Sequence, residues 1–282
     1  MTIRCSVCIC TRNRPEELAK ALLSIRSSAP PAHEVIVADD STDTRTRVLL
    51  ATRFPETKYV RGPKRGLSAN RNTALGAVTG THVLFMDDDV VMEPHFLSHI
   101  EETFRENEKQ HGDKCMVTGF EQKNGATIYP HEQTFLGYQS KPYKDGEPLK
   151  TIVINSTVFP ASLFQRLRFD EKLIYGYDEV DLATRAEQLG YAIVLAKEAF
   201  NYHFPSDINR DYYKPHVESS RLYATFKRYF RTERKYMKAI AFAIIGFIHM
   251  TQHDMRRAGP RGLILSLGTV MCCMKLDRKR DC

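Results

Sequence analysis

The chain has 282 residues, 42% hydrophobic and 27% charged, the balance of a globular protein with room for one large domain or two small ones. Forty-one Lys and Arg against 34 Asp and Glu give a formal charge of +7, too mild over this length to demand a nucleic-acid partner. The charge is uneven: residues 205–282 hold 16 basic and 7 acidic side chains, leaving 25 and 27 in the first 204, so a nearly neutral body carries a strongly basic tail.

From the N-terminus, Met1–Arg4 leads directly into the apolar run Cys5–Cys10, with no basic leader, long apolar core or cleavage site. The seven cysteines (Cys5, Cys8, Cys10, Cys115, Cys272, Cys273 and Cys282) are too scattered for a disulfide framework. Both features point to a reducing, cytoplasmic setting. Cys5-x2-Cys8-x-Cys10 lacks the second knuckle of a four-ligand zinc site, so these thiols are expected to fill a buried strand. Thr11–Pro15 supplies a loop with proline at a helix start, and Leu18, Leu22 and Ile25 follow at helical spacing. Glu34–Ala38 reads as a second strand ending at Asp39-Asp40. A polar helix leads to a third strand at Lys58–Arg61, and a Gly/Pro/basic loop, residues 62–66, precedes a helix that Ser68 is placed to cap. The fourth strand, His82–Met86, runs into Asp87-Asp88-Asp89. Short apolar strands separated by helices predict βαβ units in a parallel sheet, whose ligands bind beyond the carboxyl ends of the strands. Both acidic clusters fall at such ends.

Phe96, Ile100 and Phe104 mark one face of the next helix, and a strand is expected around Cys115–Phe120. Glu121–Lys150 is rich in Gly, Pro, Gln and Tyr and has little periodicity, so it reads as a long functional or disordered connection. Thr151–Phe159 is strand-like, Asp178–Leu189 helical, and Tyr191–Ala196 with Phe200–His203 close the sheet.

Three adjacent carboxylates at a buried strand's end repel one another unless solvent or a cation relieves them, and Mg²⁺ or Mn²⁺ with phosphate oxygens suits such a group. An isolated triplet reads equally as a solvated loop with one Asp capping the helix near Glu93-Pro94. Here it stands with Asp39-Asp40 and with Asp178-Glu179-Val180-Asp181. Together, V-C-I-C-T-R-N-R-P-E, V-I-V-A-D-D-S-T-D, G-L-S-A-N-R-N-T-A-L-G-A-V-T-G, V-L-F-M-D-D-D-V and G-Y-D-E-V-D-L-A-T-R-A-E-Q-L-G-Y resemble the family-2 glycosyltransferases in order and spacing over residues 3–204. The resemblance implies a GT-A fold, a Rossmann-like α/β architecture with a mostly parallel central sheet flanked by helices. It places the catalytic domain in residues 1–204 and a helical extension in 205–282.

It also implies roles. Thr11 and Arg12 end the first strand where the family contacts the donor nucleotide. Asp40 matches the carboxylate that reads the nucleobase, with Asp39 beside it, and Arg71 and Asn72 match an Arg-Asn pair alongside the nucleotide. Asp87 and Asp89 match the ends of an Asp-x-Asp motif, one facing the ribose and the other holding Mn²⁺ or Mg²⁺ on the diphosphate, with Asp88 between them. His203 sits where related enzymes often place a further metal ligand; an ordinary strand-end histidine is the alternative. Glu179 matches the catalytic base, although the family usually has Glu-Asp where this chain has Asp178-Glu179. Asp178 serves instead if the turn is rotated by one residue, and one acid of the cluster, Asp178 or Asp181, is expected to cap the helix.

The implied reaction is metal-dependent, inverting transfer of a sugar from a nucleotide sugar, in the first instance a UDP-sugar, to an acceptor hydroxyl. Glu121–Lys150 and Lys64–Gly66 are candidates for excluding water. In the tail, Ala239–Met250 and Gly262–Met274 are apolar but shorter than the roughly 20 residues that span a bilayer, and basic residues flank both. They read either as segments lying on an anionic inner membrane surface that carries a lipid-linked or envelope glycan, or as core helices or a homodimer contact. A nucleotidyltransferase is the first rival, but the loop after the first strand has no glycine. A non-catalytic module is the second, and the retained acids argue against it.

Overall fold

The structure, a computed structural model, describes residues 3–208 and 210–278. Met1, Lys279, Arg280 and Cys282 lie outside the described residues, as do the side chains of Cys272, Lys275 and Arg278. β1 (Cys5–Thr11), α1 (Pro15–Arg26), β2 (Glu34–Asp39), α2 (Arg45–Arg53), β3 (Lys58–Arg61), α3 (Leu67–Leu75) and β4 (His82–Asp87) alternate as the sequence pattern requires. After them come β5 (Val90–Met92), α4 (Phe96–His111), β6 (Cys115–Lys123) and the short strands β7 (Ala126–Ile128), β8 (His131–Gln133) and β9 (Gln139–Pro142). β10 (Thr157–Pro160), α5 (Asp178–Gln188) and β11 (Ala192–His203) complete the sheet region, and α6 (Arg210–Lys227), α7 (Tyr236–Ala258) and α8 (Arg261–Arg278) end the described chain.

The main sheet runs β3-β2-β1-β4-β10-β6-β11-β5, with β7 paired to β6. β1 lies parallel between β2 and β4, with Cys8 opposite Ile36 on one side and Phe85 on the other. All of β1 is buried, so alternate residues feed opposite cores. Val7 and Ile9 join Leu18, Leu22 and Ile25 of α1 and Phe96, Ile100 and Phe104 of α4. Cys8 and Cys10 join Ala74 of α3, Leu182 and Ala186 of α5, and Phe85, Phe159, Phe164 and Phe169. Phe85 meets those three rings edge-on at 4.9–6.0 Å, contacts worth about 0.5–1.5 kcal/mol each beyond the buried area. Cys5, Cys8, Cys10 and Cys115 are free and buried, and burial pushes the Cys5 thiol up to about 12. They are strand filling, as expected.

Several local expectations fail for physical reasons. Thr151–Phe159 is not a continuous strand: residues 154–156 form a 3-10 turn that places Asn155 under the carboxyl end of β4, and only Thr157–Pro160 pairs, antiparallel to both β4 and β6. Glu121–Lys150 is not structureless, since β6 runs to Lys123, β7 pairs back on it and β8–β9 form a hairpin. The two final strand segments are one strand, β11, with a register shift between Leu195 and Phe200. Ser68 does not cap α3. Gly66 stands at the cap with φ 107°, where a Cβ would lie 2.8 Å from the Ile174 backbone, and Ser68 Oγ donates instead to the Leu173 carbonyl at 2.6 Å.

In the tail, the inner faces of α6 and α7 cover residues 135–136: Tyr229, Ala239 and Phe242 pack with Phe135, Leu136 and Leu222. Buried Arg221 donates to the Leu136 carbonyl and pairs with Glu218. No helix among the described residues is long and apolar enough to cross a membrane.

Candidate functional site

The carboxyl ends of β1, β4 and β11 deliver the chemistry to one place. β4 ends at Asp87, and β5 pairs antiparallel with the end of β11, Val90 opposite His203, which brings His203 beside Asp89. A cavity of about 480 Å³ opens there, lined by Asp87, Asp89, His203, Arg14, Lys123 and Tyr175 among others. Ser206, Ile208, Tyr213 and Val217 complete its wall, so residues beyond 204 share in the site.

The three aspartates have different partners. Asp88 is fully buried; it accepts Thr11 Oγ1 at 2.6 Å and Arg14 Nε at 3.0 Å, with Arg14 Nη2 2.6 Å from its other oxygen. Burial raises its carboxyl to about 7 in spite of Arg14 and Thr11. Asp88 and the Thr11 hydroxyl, expected at the donor nucleotide, are thus committed to each other beneath the cavity. Asp87 bonds Arg71 at 3.1 Å and accepts Asn155 Nδ2 at 3.4 Å, while its N–H donates to Asn155 Oδ1 at 2.8 Å. Burial alone would raise Asp87, but Arg71, His203 and Arg14 outweigh it and hold the carboxyl below its ordinary value.

Asp89 Oδ2 accepts Arg14 Nη1 and the Ser206 N–H, each at 3.0 Å. Asp89 Oδ1 is buried without a hydrogen-bond partner, 3.5 Å from His203 Nε2. His203 Nδ1 lies 2.8 Å from Glu121 Oε2, and Glu121 Oε1 accepts Asn155 Nδ2 at 2.9 Å. Desolvation opposes charge on His203, but Glu121 and then Asp87 and Asp89 outweigh it and raise the imidazole. A carboxylate that holds Nδ1–H leaves Nε2 for a cation, an arrangement common around metal-bound histidines. No three of the described His, Cys, Asp or Glu side chains form a complete cage. An orphaned carboxylate oxygen and an oriented imidazole nonetheless fit an ion of the Mg²⁺ class, which takes one or two protein ligands and completes its shell with phosphate oxygens and water. Asp87, expected as a further ligand, is occupied by Arg71 and Asn155.

Arg71 joins this cluster to the helix acids. Buried behind β4, it contacts both Asp87 and Asp178. Asp178 does not cap α5, because Tyr177 holds the cap position with φ 63° and no side-chain bond. Asp181 does not cap either; it pairs with Arg185 at 2.7 Å and Lys227 at 2.8 Å. Glu179 accepts a 3.2 Å bond from Gln139 Nε2, and burial, reinforced by the Asp178 charge, raises it to about 7 in spite of that bond. A carboxylate so placed can take a proton near neutral pH.

On the far side of β1, Asp39 accepts the Ser41 N–H at 2.9 Å and Tyr59 OH at 3.3 Å. Asp40 accepts the Lys64 N–H at 2.8 Å, and burial raises its carboxyl despite that bond and nearby Arg12. A Cβ on Gly62 would stand 2.1 Å from Asp40 Oδ1 and 2.3 Å from Asn70 Oδ1, so only glycine lets the loop close over that carboxylate. Asn72, expected beside the nucleotide, instead braces residues 169–171: its amide exchanges bonds with the Phe169 backbone at 2.9 and 3.0 Å and reaches Glu171 at 3.2 Å.

Residues 6–169, more than half of the chain, match the glycosyl transferase family 2 model. The chain belongs to that family. This glycosyltransferase is 27% identical over 188 residues to YwdF of Bacillus subtilis (strain 168), described as an uncharacterized glycosyltransferase, covering 65% of this chain and 68% of YwdF. It is 33% identical over 111 residues to the succinoglycan biosynthesis protein ExoM of Rhizobium meliloti (strain 1021), covering 37% of this chain and 36% of ExoM. Among solved structures, S. aureus TarS superposes with a TM-score of 0.62 at 17% identity over 97% of this chain, which spans 50% of that TarS chain. TarS 1–349 in complex with UDP-GlcNAc gives 0.62 at 16% identity, covering 97% of this chain and 83% of that one. The likeness is one of fold, and it establishes the GT-A architecture.

Arg14, Glu121, Asn155 and Gln139 escape a sequence reading. Arg14 alone carries a local signal, a second arginine immediately before the helix-starting Pro15. The others acquire meaning only when β6, the 154–156 turn and the β8–β9 hairpin meet.

Proposed function

We propose that this glycosyltransferase moves a sugar from a UDP-sugar to a hydroxyl of a lipid-linked or envelope glycan, with inversion and with Mn²⁺ or Mg²⁺ bound at Asp89 and His203. The observation that carries the reading is the orphaned Asp89 Oδ1, 3.5 Å from an imidazole nitrogen whose ring is fixed by Glu121, on the wall of the 480 Å³ cavity. TarS has been solved with UDP-GlcNAc and with UDP, and ExoM is named for succinoglycan biosynthesis, which supports a uridine donor and a glycan acceptor.

Asp40, with Asp39 and Arg12 nearby, receives the nucleobase, and Asp87 faces the ribose. Asp89 and His203 would hold the cation, which would supply Lewis-acid neutralisation of the charge that grows on the departing diphosphate. Arg14 holds Asp89 in place. Glu179 accepts the proton of the attacking hydroxyl, the single base that a single displacement needs. Asp178 is tied into the Arg71 pair and serves to orient. Lys64–Gly66 and residues 121–150 limit water at the anomeric carbon.

The test is a screen of nucleotide sugars for nucleoside diphosphate release with Mn²⁺ and with Mg²⁺, paired with thermal melting. Metal-dependent release from a UDP-sugar, and a melting temperature raised by Mn²⁺ plus UDP beyond either alone, are expected. Turnover unaffected by chelator, or release from other nucleotides only, refutes the assignment.

A further inference from the structure

The outer side of the α7–α8 hairpin has no structural explanation within the chain. Along α7, Ala239, Phe242, Gly246 and Met250 are buried, while Met237, Ile240, Ile244 and Ile248 recur at three- and four-residue steps on the opposite side, 49–78% exposed. α8 folds back along α7, with Ser266 Oγ donating to Asp254 Oδ2 at 2.8 Å. It repeats the pattern: Ser266 is buried and Ile264, Leu267 and Met271 are 48–71% exposed. Isoleucine and leucine at these spacings on two adjacent helices make a continuous apolar stripe on each, not the scattered exposure of an ordinary surface.

Both ends of α7 are basic. Exposed Arg231, Arg234 and Lys235 stand at its start beside Arg228, which pairs with Glu233, and Lys227, which is held by Asp170 and Asp181, and exposed Arg256, Arg257 and Arg261 stand at the turn into α8. A second copy packed on the stripe, parallel or antiparallel, would set one basic end against another. An anionic lipid surface neutralises both ends while its acyl boundary takes the stripe. With no helix long and apolar enough to span a bilayer, the hairpin fits the plane of the interface. We propose that the α7–α8 hairpin docks the protein on anionic membranes, its isoleucine stripe inserted among the lipids and its flanking arginines on the headgroups. The inference is independent of the donor and acceptor assigned above.

The chain contains no tryptophan, so a single introduced one reports its own surroundings. On adding phosphatidylglycerol vesicles at low ionic strength, the emission of Ile248→Trp should shift to the blue. That of Leu23→Trp, exposed on α1, should not move. In co-sedimentation, replacing Arg256, Arg257 and Arg261 together by Gln should weaken partitioning on the order of a hundredfold, and phosphatidylcholine vesicles should bind little. The pair Ile244→Glu and Ile248→Glu, with helix content unchanged by circular dichroism, should also abolish binding. The proposal is overturned if the wild-type chain ignores phosphatidylglycerol, or if Ile248→Trp stays unshifted when bound. It is equally overturned if the Glu pair leaves vesicle binding intact, or dissolves a solution dimer of a chain that does not bind vesicles.

Discussion

Replacing Glu179 by Gln tests the base directly. In the wild-type chain the Glu179 carboxyl is raised to about 7 by burial and by Asp178, and only ionised carboxylate can accept the acceptor's proton. The sign follows: the group is protonated and inactive below 7, ionised and active above it. About nine-tenths is ionised at pH 8 and about one-eleventh at pH 6, so kcat/KM should fall about tenfold between them on an acid limb centred near 7. Glu179→Gln keeps a partner for Gln139 but has no base; turnover should drop about 10²–10⁴-fold and the limb should vanish. Glu179→Asp should keep the limb with reduced kcat, its carboxylate retracted by one methylene. The assay is initial-rate UDP release with acceptor present, from pH 5.5 to 9, at roughly constant ionic strength. A limb that survives in Glu179→Gln and disappears in Asp178→Asn would refute the reasoning and pass the role to Asp178.

Arg14→Ala leaves the fully buried Asp88 without its cation and should cost about 3 kcal/mol, read as a lowered urea midpoint at unchanged slope; an unchanged midpoint would show that the pair does not support the fold. Asp89→Ala should eliminate metal-dependent turnover and the melting shift with Mn²⁺ plus UDP, and full turnover in this variant would sink the metal assignment. Gly62→Ala drives a methyl into Asp40 and should raise the donor KM while costing about 1–3 kcal/mol, and an unaltered KM would free Asp40 from the donor site. Arg71→Lys should depress kcat and raise donor KM together, whereas a change in only one would mean that the arginine serves only one of its two carboxylates.

The sheet was legible because its evidence is local: a buried apolar strand such as Cys5–Thr11 announces itself, and Asp39 and Asp87 fall at strand ends by the same pattern. The bonds that sort the aspartates are not local. Nothing in D-D-D says that Asp88 is sealed under Arg14 while Asp89 keeps a bare oxygen, because that depends on where the Arg14 loop lands. Asn155 and Glu121 belong to a stretch that reads as strand or loop, and their importance comes from a 3-10 turn that breaks the apparent strand. Asn72 is a further case: its amide closes on a backbone 97 positions away, a contact that the motif does not announce. The exposed stripes of α7 and α8 were visible only as apolar length, since sequence alone does not say which face α6 and the hairpin occupy.

Arg71 explains how two clusters far apart in the chain behave as one site. Its guanidinium is a rigid fork whose two amino groups satisfy Asp87 at the end of β4 and Asp178 at the start of α5. Burying this cation costs desolvation that neither carboxylate alone would offset, so the three groups hold one another in place or none of them does. The geometry that fixes Asp87 against Asn155, and through Glu121 the ring of His203, is therefore the geometry that fixes the first turn of α5 and with it Glu179. Lysine carries the same charge at a single point and can face only one of the two acids at a time. With Asp87 and Glu179 in the roles proposed for them, donor binding and proton acceptance would be coupled by the shape of one side chain, a role that charge alone does not fill.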